Sequence, residues 1–396
     1  MGESADQPPT DIAELQARLA TRRCRETIAS GVFCANCSAC SLAAVPRSSI
    51  RTSSAWRLRV AKYAWHLPLY RQAQMLAAQG LDIKRSVLAF WVGYAAAELK
   101  PVYLRLRELI LASGKIAVDE TKAPVLDPGR GRDKQGYFWA IARDDRPGGG
   151  TDPPAIAFTY ASGRGAVHGL KLLDSYPGVV QCDGYAAYKT IAAKAPGEAI
   201  TLAFCRAHLR RGFFDLAKTG NAPIASEALE RIAALYAIEK TIRGASATIR
   251  RMARQDKSKP LVAALRTFFE QQLARVSAKA SIAEEIRYGL NRWDGFTRFL
   301  DDGRIEFDTN IVERGIRPIV LNRKNSLFAG HDLGAENWAC VASLIETKLN
   351  DVDPQTYFAD VLAKLVDLWP AARIDELMPW AWGAANRIAA PAQAAA

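Results

Sequence analysis

The hydrophobic period of the chain changes at Ser113-Gly114, and that change constrains the fold more than any other feature. Before it, apolar residues recur at helical spacing. After it come five short apolar runs: KIAVDE (Lys115 to Glu120), YFWAIAR (Tyr137 to Arg143), AIAFTY (Ala155 to Tyr160), GVVQCD (Gly178 to Asp183) and ITLAFC (Ile200 to Cys205). Turn-rich stretches, VLDPGRGRDKQG and DDRPGGGTDPP, separate the first three. Helical patterns at Ala166 to Ser175 and Tyr185 to Lys194 separate the later ones, and a basic helix, Arg206 to Lys218, follows the fifth. Three consecutive strands suit an antiparallel meander, whereas the alternating remainder requires crossover helices and parallel pairing.

This order predicts an α/β fold with a ribonuclease-H-like mixed sheet, in which the first and fourth strands lie side by side at the centre. Both of those strands end in an acid, so Asp119 and Asp183 are expected to meet at one sheet edge. Glu120 competes with Asp119, but strand alternation turns it to the opposite face. Long helical patterns then fill roughly 220–300, a helical insertion before the last acidic residue.

Beyond the insertion, Asp308 to Asn325 reads DTNIVERGIRPIVLNRKN. It predicts a short helix capped by Asp308 or Asn310 and ended or kinked by Pro318. Glu313 sits near its start, among Arg314, Arg317, Arg323 and Lys324. Taken alone, the stretch reads as a solvated, salt-bridged helix. The two aspartates upstream make Glu313 the third member of an acidic set. Asp308 competes for that place, but a position within the helix gives Glu313 the more fixed approach.

Three converging carboxylates suit Mg²⁺ or Mn²⁺, because hard cations prefer oxygen ligands. Two such ions, about 4 Å apart, can activate an attacking oxygen and stabilise a leaving one in phosphodiester displacement. The formal net charge of +12 favours a polyanionic partner, nucleic acid before an anionic membrane. His208, Arg210 and Arg211, with Arg314, Arg317, Arg323 and Lys324, are the candidate DNA contacts. Cys205 and His208 form C-x-x-H, half of a zinc set with no clear partner pair in the sequence. His66, His168 and His331 read as surface or packing residues.

The N-terminal third divides in two. Residues 1–55 hold a possible short helix, Asp11 to Arg23, and Cys24, Cys34, Cys37 and Cys40. Three of these thiols crowd together without a nearby histidine, unlike the separated pairs of structural zinc sites, so zinc is not expected there. Residues 56–113 read as a helical region: Tyr63 to Gln79 ending at Gly80, a second helix capped by Asp82 or Ser86, and a third from Pro101 to Ser113. Helix, Gly-containing turn, helix resembles a helix-turn-helix and predicts DNA contact. The catalytic domain is expected over 114–350 and a helical tail over 351–396. No run of eighteen apolar residues predicts a spanning helix. The acidic start and seven scattered cysteines fit a reducing cytoplasm, with association to the nucleoid through DNA.

Several long motifs in order resemble the transposases of the bacterial insertion-sequence family sixty-six. They are VDETKAPVLDPGRGRDKQGYFWAIARDDRPGGGTDPPAIAFTYA, QCDGYAAY, CRAHLRRGFFDLA, DTNIVERGIRPIVLNRKNSLFAGHDLGAENWA and SLIETKLNDVDP. The resemblance spans about Ala61 to Trp382. It implies a DDE transposase in which Asp119, Asp183 and Glu313 match the acidic triad. It also implies metal-dependent cleavage at element ends, attack of the freed 3′-hydroxyl on target DNA, assembly of more than one protomer on paired ends, and accessory proteins of the same element. Residues 1–55 match the family's longer N-terminal part poorly and read as shortened. Trp65 stands where the family usually carries an acid, and Asp351 where it usually has Gly. A decayed copy that binds DNA without transposing, and a ribonuclease-H-like nuclease or resolvase, are the alternative readings.

Overall fold

The computed structural model describes residues 60–388 apart from 128, 130, 174–175, 196–199 and 219. The expectations for 1–55, including the four N-terminal cysteines, lie outside the described residues.

Five strands form one mixed sheet: β1 (Lys115–Asp127), β2 (Arg132–Arg143), β3 (Ala155–Ala161), β4 (Val179–Cys182) and β5 (Thr201–Phe204). Their order is β3-β2-β1-β4-β5. The meander β1-β2-β3 is antiparallel, and β1-β4 and β4-β5 are parallel. The expected strand order and central β1-β4 pair are therefore present. The first four residues of β1 and all of β4 are buried, as central strands covered on both faces require.

The helices are α1 (Leu69–Ala78), α2 (Arg85–Leu111), α3 (Ala166–Leu172), α4 (Ala186–Lys194), α5 (Arg206–Lys218), α6 (Pro223–Thr241), α7 (Ala247–Ala253), α8 (Lys259–Arg275), α9 (Ser281–Leu290), α10 (Trp293–Thr297), α11 (Asn310–Ser326), α12 (Asp332–Ile345), α13 (Pro354–Val366) and α14 (Pro379–Ile388). On one face of the sheet, α3 and α4 pack with Trp139 meeting Tyr188, ring centroids 6.1 Å apart. On the other face lie α2, α11 and α12, where Phe138 meets Trp338 at 5.0 Å.

The structure departs from the sequence reading at its prolines. Pro101 lies inside one continuous 27-residue helix, α2, where two helices were expected. Leu99, Val102, Tyr103 and Leu106 around it are buried, and that packing outweighs the lost backbone bond. Pro318 likewise lies inside α11, which continues to Ser326. The stretch VLDPGRGRDKQG is mostly strand: β1 and β2 extend past the sheet as a long hairpin, Ala123 pairing Gly136 and Asp127 pairing Arg132. Pro124 is tolerated there because, among the described residues, the extension has no strand pairing on its other side except the bridge Val125 to Ala329.

The Gly80 turn is as expected, with φ +83 after the α1 C-cap. However, α1 begins at Leu69, since His66 takes φ +57 and Pro68 precedes the helix. Much of α2 is core, its buried residues from Val92 to Ile110 joining those of the sheet in one hydrophobic cluster. Asp351 takes φ +56, a left-handed conformation that Gly adopts freely and Asp tolerates.

The insertion packs through aromatic residues that continue the core of the sheet. Phe213 of α5 stacks on Phe269 of α8 at 5.3 Å, and Trp293 meets Phe269 at 6.3 Å. A π-helical turn, Arg254–Ser258, joins α7 to α8 and buries Arg254 completely. Arg254 donates to both oxygens of Glu239, 2.7 Å each, and to the carbonyls of Phe299 and Asp302.

Candidate acidic active site

The β1-β4 register pairs Lys115 with Val179, Ile116 with Val180 and Ala117 with Gln181. Carried forward along both strands, that offset sets Asp119 level with Asp183 at the carboxyl ends of the two central strands. Alternation turns Asp119 toward the α11 face, while Glu120 faces α4. There the Glu120 side chain is fully buried, accepting from the Tyr188 hydroxyl at 2.5 Å and paired with Arg164. Arg164, in the loop after β3, also reaches Asp183 at 3.7 Å and stacks on Tyr185 at 3.8 Å. Asp183 Oδ1 accepts the Tyr185 backbone N–H at 2.9 Å, which fixes the carboxylate at the start of α4.

Burial pushes the Asp119 carboxyl up to about 7; the Glu120 and Asp183 charges add to this, while the Glu120 backbone N–H and His208 oppose it. Glu120 is also raised by burial, with its bonds to Tyr188 and Arg164 pulling the other way. Asp119 thus carries charge that its protein neighbours leave poorly balanced, which suits a cation-binding carboxylate.

Glu313 lies in the first turn of α11. The expected side-chain cap is absent: Thr309 is the N-cap residue without such a bond, and Asp308 instead accepts from the Tyr236 hydroxyl at 2.7 Å. Glu313 Oε1 lies 3.9 Å from His208 Nδ1 and 4.0 Å from Cys205 Sγ. Cys205 and His208 flank the start of α5, so the end of β5 meets the start of α11 here. His208 thus neighbours Glu313 and also acts electrostatically on Asp119. The three acids do not themselves close to one tight cluster. Among the described residues, the group of three or more ligand-type side chains within 4.8 Å of one another is Cys205, His208 and Glu313.

The candidate cations divide by position. Arg210 and Arg211 are exposed on α5. Arg314, Arg317 and Lys324 form an exposed stripe on α11 with Leu321. Arg323 is half-buried and donates to the Lys122 carbonyl at 2.5 Å and to Thr121 Oγ1 at 3.3 Å, tying α11 to β1. Arg314 Nε donates to the Asn310 carbonyl of its own helix. His331 caps α12, its Nδ1 accepting from the Gly334 N–H at 3.0 Å. Arg164 and Tyr188 escaped the sequence reading, because neither the loop after β3 nor the interior of α4 carries a motif that marks a partner for a buried glutamate.

Together these observations define an α/β protein with an acidic carboxyl edge on a five-stranded mixed sheet and a helical insertion before its last acid. Residues 48–337 match the family described as "Transposase IS66 family", and residues 343–380 match the "IS66 C-terminal element". The chain belongs to the IS66 transposase family. It is 43% identical over 328 residues to the uncharacterized protein y4qI of Sinorhizobium fredii (strain NBRC 101917 / NGR234), covering 82% of this chain and 61% of that protein. It is 43% identical over 338 residues to y4jD of the same strain, covering 84% and 66%. To y4hP it is 38% identical over 382 residues, covering 91% and 68%. The chain thus spans about three-fifths to two-thirds of the length of these relatives. Among the described residues, no helix is long and apolar enough to cross a membrane.

Proposed function

We propose that the chain is a DDE transposase that cleaves DNA at the ends of its insertion sequence and transfers the freed strand into target DNA. Asp119, Asp183 and Glu313 are its catalytic acids, on a ribonuclease-H-like sheet. The parallel β1-β4 register, which sets Asp119 level with Asp183, carries this reading. Membership in the IS66 family supports it. The domain plan is a catalytic body over 114–350 with the insertion near 220–300, preceded by the 56–113 helices and followed by the 351–396 tail.

The donor set suits Mg²⁺ or Mn²⁺: Asp119 and Asp183 offer oxygen ligands beside each other, and the raised Asp119 carboxyl reflects charge that a cation would relieve. Asp119, Asp183 and Glu313 would hold two such ions, which when bound supply activation of the attacking oxygen and stabilisation of the leaving one. The chain's own residues prepare that edge. The Tyr185 N–H and Arg164 hold the Asp183 carboxylate. Tyr188 and Arg164 keep Glu120 turned away, so the first strand presents a single acid. The exposed Arg210, Arg211, Arg314, Arg317 and Lys324 bind phosphates, fixing the position of the duplex without reading its sequence. Partners in this reading are element ends, target DNA, further protomers on paired ends and accessory proteins of the same element, within a nucleoid-associated complex.

The test is Mg²⁺- or Mn²⁺-dependent nicking of a duplex carrying the element's own end. Wild type should nick, and Asp119→Asn, Asp183→Asn and Glu313→Gln should each bind the duplex without nicking it. Retained nicking in any one variant removes that residue from the acid set. Binding without nicking by the wild type favours a copy that has lost catalysis, and nicking without preference for element ends favours a nuclease or resolvase.

A further inference from the structure

We propose that Cys205, His208 and Glu313 form a binding site for a borderline divalent cation of the zinc class, chemically distinct from the oxygen-ligand site at the aspartate pair. The sequence offers only C-x-x-H, half of a ligand set. The fold supplies the third ligand from 105 residues beyond His208, because the start of α11 lands on the end of β5. The three ligand atoms all lie within 4.8 Å of one another. Sγ to Oε1 is 4.0 Å and Nδ1 to Oε1 is 3.9 Å. Tetrahedral zinc, with Zn–S of about 2.3 Å and Zn–N or Zn–O of about 2.0–2.1 Å, places its ligands about 3.3–3.5 Å apart. The two distances to Glu313 Oε1 need to contract by only about half an ångström, within the reach of side-chain torsions, and the sulfur and the imidazole lie within the same 4.8 Å.

Two further observations point to a ligand. His208 Nδ1 is a buried atom without a hydrogen-bond partner, so its ring nitrogen is uncommitted. The Thr309 backbone N–H donates to Cys205 Sγ at 3.4 Å, the kind of outer contact that stabilises a metal-bound thiolate. A thiolate and an imidazole favour zinc or cobalt over magnesium, whereas the aspartate pair has the opposite preference. Three protein ligands leave one position open, as in non-structural zinc sites. Glu313 is common to both sites. On the function proposed above, zinc held here withdraws Glu313 from the hard-ion set and suppresses cleavage.

Cobalt is the probe, since tetrahedral Co²⁺ with a thiolate ligand shows both visible d–d bands and a thiolate-to-metal charge-transfer band. The full chain is used with Cys24, Cys34, Cys37 and Cys40 replaced by serine, to remove competing thiols. One equivalent of Co²⁺ should give both bands, and one equivalent of Zn²⁺ should bleach them. Cys205→Ser should abolish the charge-transfer band. His208→Ala and Glu313→Gln should each weaken cobalt binding by at least about tenfold. No charge-transfer band in the parent, or a band that survives Cys205→Ser, overturns the site. Should Cys205→Ser fail to fold, Glu313→Gln decides: an unchanged cobalt spectrum and affinity there refutes the ligand set. These readouts need no DNA, so they stand or fall separately from the nicking assay. In a wild-type chain that nicks, indifference of nicking to stoichiometric zinc overturns the shared use of Glu313.

Discussion

Replacing Asp119, the first of the proposed catalytic acids, by Asn should stabilise the metal-free protein at alkaline pH. The carboxyl is raised from 3.8 to about 7 by burial and by the neighbouring Glu120 and Asp183 charges. A carboxyl raised by folding binds its proton more tightly in the native state than in the unfolded one. Below pH 3.8 both states are protonated and the group costs nothing. Between 3.8 and about 7 the cost grows with pH, and above about 7 it is fully present. At about 1.36 kcal/mol per pH unit, the full interval corresponds to roughly 4 kcal/mol, and the part incurred by pH 5 to roughly 1.6 kcal/mol. The asparagine keeps an oxygen to accept the Glu120 N–H, which donates to Asp119 Oδ1 at 2.8 Å. Its amide also needs acceptors, so a net gain of about 2–4 kcal/mol at pH 8 is expected. Urea denaturation of both proteins in chelator, at pH 5 and pH 8, measures it. The gain should shrink by about 2 kcal/mol or more on going to pH 5. No gain at pH 8, or one equal at both pH values, would refute the electrostatic account of this edge.

Two other substitutions probe the scaffold. Arg254→Met leaves the largely buried Glu239 with the weaker support of Arg250, 3.7 Å away, and of Arg206, and should cost about 3–5 kcal/mol, read from the urea midpoint by tryptophan fluorescence. Leu327 takes φ +55 and ψ −53 with the Phe328 N–H bonded to the Ser326 carbonyl at 2.6 Å, a strained γ-turn. Its side chain is 66% exposed, so Leu327→Gly loses little packing. Strain of about 1–3 kcal/mol, less about 0.5–1 kcal/mol of added chain entropy, predicts a rise in stability of roughly 1 kcal/mol in the same assay.

Alternation and connection order made the sheet legible in the sequence. The apolar runs from Lys115 to Cys205 give the strand order, and chain topology then forces β1 beside β4. From that pairing alone, Asp119 and Asp183 come to one edge. The choice of Asp119 over Glu120 followed from period two, and the structure turns the two side chains to opposite faces. The cost of a proline is local, but whether a helix tolerates it depends on tertiary packing. Pro101 and Pro318 sit in helices whose neighbouring residues are buried, and tertiary packing offsets a single missing hydrogen bond. The hairpin beyond Lys122 carries the Gly, Pro and Asp content that signals a turn. Its pairing to Ala329, some two hundred residues away, has no local signature. The same holds for Cys205 and Glu313, which belong to one group only once β5 and α11 are folded together.

That folding explains how Glu313 comes to the end of β5 after so long an insertion. The insertion leaves through α5 and returns through residues 305–309, and both ends are pinned at neighbouring points. Gln181 of β4 exchanges two hydrogen bonds of 2.9 Å with the backbone of Glu306. Arg206, the first residue of α5, donates through its backbone N–H and its guanidinium to the Phe307 carbonyl. Its guanidinium lies between the rings of Phe299 and Phe307, at 3.9 and 4.6 Å. The Thr309 N–H then meets Cys205 Sγ, and α11 starts. At the far end of α11, Arg323 holds the Lys122 carbonyl, and the Ala329 N–H bonds to the Pro124 carbonyl at 2.9 Å. The helix that carries Glu313 is thus fastened to β4 and β5 before it and to β1 after it. Loop-closure entropy grows only slowly with length, so a helical insertion fixed in this way can change size at small cost while the acid stays beside His208.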